Sequence, residues 1–141
     1  MNENPFVGTW TYRSLLNDPN PKTAFSDLEF GLGTIKLKAA TFDSLTGTIG
    51  QSGKGGWQLN LQGSLAYGTP MQIRMQGKGV VGGAPWIYDY IGWLVPPWPN
   101  AVPKLERPAI AGSVIRTIPH PSNGKIAPAG FVASFYAVKV G

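Results

Sequence analysis

The chain contains no cysteine, and histidine occurs once, at His120. Disulfides, thiolate zinc sites and thiol nucleophiles are therefore excluded. A single histidine cannot furnish a His-rich metal centre from one chain, so no metal is expected. Charge is also scarce, with only 13% of residues Asp, Glu, Lys or Arg against roughly 25% in ordinary soluble domains. Helices carry Glu, Lys and Ala on their wet faces, so this scarcity argues against a helical protein. No apolar run reaches the roughly 18 residues of a membrane-spanning helix. The stretch Met1-Asn2-Glu3-Asn4-Pro5 has neither the basic region nor the apolar core of a signal peptide. A cytoplasmic protein without a membrane partner is the expectation.

What fills the gap is 19 Gly, 13 Pro and the small polar residues, the mixture of short strands joined by many turns. The length is that of one domain, read as residues 1–141. The net charge of +5 is uneven: residues 1–89 carry seven Lys/Arg against six Asp/Glu, and residues 90–141 carry five against Glu106 alone. This basic third suits an anionic ligand, or is a mildly basic surface with no partner. No short window is rich in Lys/Arg, and the aromatics alternate rather than interleave with basic residues, so nucleic acid is not an expected partner.

Alternation at period two dominates. Trp57, Leu59 and Leu61 alternate with Gln58, Asn60 and Gln62, and Met71, Ile73 and Met75 with Gln72, Arg74 and Gln76. Strands with one apolar and one wet face belong to antiparallel sheets. Eight are predicted, at 6–16, 28–39, 44–50, 57–66, 71–80, 86–95, 109–118 and 130–140. Short turn-rich links imply antiparallel neighbours. Two long connections, Pro96 to Pro108 and Pro119 to Pro128, are proline-rich, which disfavours a helix in the first. Gly33, Gly47, Gly63, Gly77, Gly92 and Gly112 recur inside strands. Sharp coiling in a small barrel accounts for them better than a sandwich does. The fold class is thus all-β, an eight-stranded antiparallel up-and-down barrel.

Gly8-Thr9-Trp10 resembles the Gly-x-Trp signature of the calycins (lipocalins, avidins and fatty-acid-binding proteins), Leu45-Thr46-Gly47-Thr48 resembles avidin-type strands, and Tyr88-Asp89-Tyr90 is similar to the Thr-Asp-Tyr motif of lipocalins. The resemblance implies a ligand-holding barrel with Trp10 plugging one end. Asp89 falls within a strand instead of a turn, no C-terminal lipocalin helix is present, and the biotin-gripping ring of avidins has no counterpart, so biotin is not implied.

With Trp10 as the plug, strand parity places the mouth at the end that collects residues 17–26, 51–56, 81–85 and 119–129. Ligand-binding candidates near it are Tyr12, Ser14, Trp57, Met75, Trp86, Tyr88, Arg116, His120 and Phe131. The aromatics suit a flat or apolar ligand. Arg116 either holds a carboxylate, enolate or phosphate there, or stacks on Trp10, or faces solvent. His120, between prolines, is either a mouth residue or a solvated one. Asp89, Tyr88 and Arg116 are the candidate catalytic groups. A buried Asp89 would need a partner such as Arg13 or Arg74, or else a raised pKa suited to acid–base work. Gly77-Lys78-Gly79-Val80-Val81-Gly82 has the letters of a dinucleotide fingerprint, but no helix follows it.

Three functions compete. The barrel binds a small, largely apolar or aromatic molecule; or it is a cofactor-free isomerase or cyclase acting on a hydrophobic substrate in the same cavity; or it is a structural or interaction barrel filled by side chains. No cofactor is required by any of them. Strands 86–95 and 130–140 are apolar on both faces and need a cover, either the neighbouring proline-rich loop or another subunit; a homo-oligomer is the expectation. An interior void below about 300 Å³ would exclude the first two functions.

Overall fold

The computed structural model describes residues 4–97 and 107–140. The strands are β1 (Gly8–Leu16), β2 (Glu29–Ala39), β3 (Ser44–Gln51), β4 (Trp57–Ala66), β5 (Gln72–Val81), β6 (Ala84–Val95), β7 (Ala109–Arg116), β8 (His120–Ser122), β9 (Lys125–Ala127) and β10 (Val132–Lys139), with a short helix α1 (Phe25–Leu28) before β2. Eight of them close a barrel in the order β1-β10-β7-β6-β5-β4-β3-β2, every pair antiparallel. Closure leaves the barrel sheet itself without a free edge. It comes from β1, whose Tyr12 lies opposite both Ala137 of β10 and Gly33 of β2.

The period-two pattern sorts the side chains as anticipated. Leu59, Leu61, Ile35 and Leu37 are buried, while Gln58, Asn60, Gln62, Lys36 and Lys38 are exposed. The in-strand glycines have a steric origin. A Cβ at Gly47, Gly63 or Gly112 would overlap the carbonyl oxygen of Lys36, Arg74 or Ile91 on the neighbouring strand. Only a bare backbone permits such coiling. Gly82 and Gly83, at φ +58° and +81°, form the two-residue link from β5 to β6. Positive φ at both central positions is what a tight hairpin turn requires.

Trp10 is fully buried at the start of β1, its Nε1–H donating to the Phe6 carbonyl at 2.9 Å, so the residue implied as a plug does fill the end opposite the β1 terminus. Lys139, not Arg116, lies over its ring, 5.8 Å from the centroid. Along the outer wall of β6, β7 and β10, Trp93 (40% exposed), Ile91, Val95, Ile115, Val132 and Tyr136 face outward.

One connection differs from expectation. Residues 119–128 are not an irregular loop. His120 to Ser122 pairs with Lys125 to Ala127 in a hairpin, with Asn123 and Gly124 at positive φ in its turn. Prolines at 119, 121 and 128 conceal it, because Pro121 interrupts the strand signal while its missing N–H does not prevent a two-stranded pairing. The other proline-rich connection, 96–108, lies largely outside the described residues. No helix among the described residues is long and apolar enough to cross a membrane.

Candidate functional site

A cavity of about 390 Å³ opens at the end of the barrel reached by the C-terminus of β1. It is lined by Tyr12, Ser14, Glu29, Phe30, Gly31, Trp57, Leu59, Trp86, Tyr88, Tyr90, Arg116, His120 and Ser122. This volume lies within the roughly 300–1,000 Å³ of small-molecule sites. A larger depression of about 730 Å³ lies outside the barrel wall, between outward residues such as Leu32, Thr34, Lys36, Gln58 and Val80.

Each strand contributes the residues that alternation turns inward. β1 supplies Tyr12 and Ser14, β4 Trp57 and Leu59, β6 Trp86, Tyr88 and Tyr90, and β7 ends on Arg116. The β8–β9 hairpin folds back against β6 and brings His120 onto Trp86, with ring centroids 4.0 Å apart and planes 15° from parallel. His120 is buried, 4% exposed, so it is a wall of the cavity and not a solvated loop residue.

Three polar side chains in this apolar cup form one hydrogen-bonded chain. Arg116 Nε lies 2.9 Å from the Tyr88 hydroxyl, which lies 2.8 Å from His120 Nε2; His120 Nδ1 is 3.0 Å from the Pro121 carbonyl. Arginine only donates and a carbonyl only accepts. In the neutral imidazole, Nδ1 therefore carries the proton, and Nε2 receives the hydrogen of Tyr88, whose oxygen accepts from Arg116. Arg116 Nη1 also donates to the Pro128 carbonyl at 3.1 Å. Its guanidinium carbon lies 5.3 to 5.7 Å from the ring centroids of Phe131, Phe30 and Tyr88. Such an aromatic cage stabilises a desolvated cation.

Burial pushes the Tyr88 phenol up, while the Arg116 hydrogen bond pulls it back. Burial also raises Tyr12, against a smaller opposite effect of the Ser14 hydroxyl, and raises Tyr90 well above the ordinary range. These phenols keep their protons in the folded state at pH values where the unfolded chain ionises. The folded pKa values exceed 10.0, so their contribution is complete below pH 10 and stability falls as the pH rises through and above it. Thermal melts across the alkaline range are expected to show the midpoint dropping above pH 10, with most phenolate absorbance appearing only on unfolding. Full tyrosine ionisation in the folded chain near pH 10 would contradict this.

The remaining candidates are placed differently. Met75 is buried in the core opposite Gly63 and Tyr90, and does not line the cavity. Phe131 is 37% exposed at the rim, stacked on Phe30 at 5.3 Å. Asp89 lies on the outer face of β6, because the alternation that turns Tyr88 and Tyr90 inward turns it outward. Its carboxylate accepts from Gln76 Nε2 and the Thr117 hydroxyl, and neither Arg13 nor Arg74 is its partner. Asp89 therefore has no access to the cavity from this register.

Phe30 was missed by period-two counting. Ser14 pairs with Gly31 but Leu15 pairs with Glu29, so a bulge at Phe30 resets the phase of β2. Flanking glycines at 31 and 33 are the only local sign of it. Among the described residues, no group of three or more His, Asp or Glu side chains is arranged to hold a metal ion.

The fold and cavity define a closed, eight-stranded up-and-down β-barrel with an internal pocket, a plan consistent with a calycin-like fold. No family model, curated protein or solved structure matches the chain.

Proposed function

We propose that this barrel takes up a small, largely apolar or aromatic molecule through its mouth. The observation that supports this best is the cavity itself, about 390 Å³ inside a closed barrel and walled by Trp57, Trp86, Tyr12, Tyr88, Tyr90 and Phe30. Barrels of this size otherwise fill their interiors with side chains. Flat aromatic walls gain most from an apolar or aromatic guest.

The test is recovery of the guest. Purified protein is incubated with cell extract, washed, and its bound small molecules are identified by mass spectrometry. An apolar or aromatic compound is expected on the wild type and absent from Ser14→Leu, whose larger side chain occupies the cavity. The same compounds on both proteins would place binding elsewhere and reject the proposal.

A second reading is a cofactor-free isomerase or cyclase. It draws on the Tyr88 hydroxyl, which is held between a cation and an imidazole and is suited to polarising a carbonyl or relaying a proton. Arg116 would stabilise developing negative charge. Asp89 takes no part in this version.

A further inference from the structure

The Arg116 side chain is 7% exposed, although its guanidinium stays ionised at any working pH. Taking a charge out of water is costly unless an opposite charge replaces the lost hydration. The surroundings of Arg116 are neutral: a phenol, a carbonyl and three aromatic rings. Glu29 is the acid that lines the same cavity, but it is exposed at the rim, and the hydrogen bonds of Arg116 go to Tyr88 and Pro128 instead. These two bonds leave most of the guanidinium N–H donors unused.

A residue of the same cavity wall carries a second unpaired donor. Trp86 Nε1 is buried without any hydrogen-bond partner. An indole N–H can only donate. The Tyr88 hydroxyl and His120 Nε2 are already occupied with each other. The pocket thus has a buried cation with unused N–H groups and an unpaired indole N–H, and its carboxylate, Glu29, is exposed and bonded to neither. Buried orphan groups of this kind mark a partner that completes them.

We propose that the guest carries a planar, delocalised oxyanion, a carboxylate or an enolate, seated against Arg116, with its apolar body between the aromatic walls. This rests on the reading of the cavity as a small-molecule site and goes further by fixing the charge of the ligand. A carboxylate presents two acceptor oxygens to the guanidinium fork. An uncharged hydrocarbon would leave all these donors unsatisfied.

The full-length chain is titrated calorimetrically with benzoic acid, 2-naphthoic acid and the primary amides of both at neutral pH. At least one acid is expected to bind about tenfold tighter than its amide, and Arg116→Gln to remove that preference. Equal binding of acid and amide to the wild type would overturn the oxyanion and leave the small-molecule site standing. Binding of none of the four would overturn both. The wild-type comparison decides the matter even if Arg116→Gln does not fold.

Discussion

Trp10→Ala is expected to lower the free energy of unfolding by about 3–5 kcal/mol, the range for removing a fully buried large aromatic side chain. Three losses combine. The indole is wholly excluded from solvent at the plugged end of the barrel. The Phe6 carbonyl loses its donor, and the Lys139 ammonium loses the ring beneath it. The end opposite the mouth then loses its largest fully buried side chain, and a rigid, closed sheet cannot collapse onto the void. Against a total of about 5–15 kcal/mol for a domain of ordinary stability, the variant would lie near the threshold of folding. Trp10→Phe should lose clearly less, since a phenyl ring restores most of the volume and only the hydrogen bond is missing. Urea denaturation followed by circular dichroism measures both. An Ala variant as stable as the Phe variant would mean that the indole does not close the barrel.

Tyr88→Phe removes one oxygen and with it two hydrogen bonds, those to Arg116 Nε and His120 Nε2. Each stranded buried group would cost about 1–3 kcal/mol. Water entering the open cavity can satisfy part of this demand, so a net loss of about 2 kcal/mol is expected, at the lower end of the combined range. Coupling is the sharper readout. If Arg116, Tyr88 and His120 act as one chain, Tyr88→Phe and Arg116→Gln together should destabilise by less than the sum of the two alone. Strict additivity would show that the chain is not an energetic unit. The same variant separates the two proposed functions. A binding protein keeps its guest, because the ring of residue 88 remains in the wall; an isomerase or cyclase keeps its guest but loses turnover.

Alternation is a local property, and the fold followed from it. Leu59 and Leu61 face inward and Gln58 and Asn60 outward for the reason the sequence suggested: successive side chains of a strand point to opposite faces. The same rule made Tyr12, Ser14, Trp57, Trp86, Tyr88 and Arg116 recognisable as mouth residues, all of which line the cavity. It failed where local phase was broken or irrelevant. The bulge at Phe30 depends on how β2 pairs with β1; Gly31 and Gly33 signal that the phase can break but do not fix where. His120 sits in a proline-flanked segment whose hairpin is defined only by its pairing with residues 125 to 127. Its burial depends on Trp86, more than thirty residues earlier in the chain.

The sequence by itself determined the barrel, because period-two patterning, in-strand glycines and short links each act within a strand or between neighbours. The resemblance carried by Gly8-Thr9-Trp10 implied which end is plugged, and the buried indole agrees with it. Only the tertiary structure decided that the interior is open, that Asp89 looks outward, and that Arg116, Tyr88 and His120 meet. Those outcomes rest on distances between strands and loops far apart in the chain, set by closure of the sheet and by the hairpin folded across its mouth.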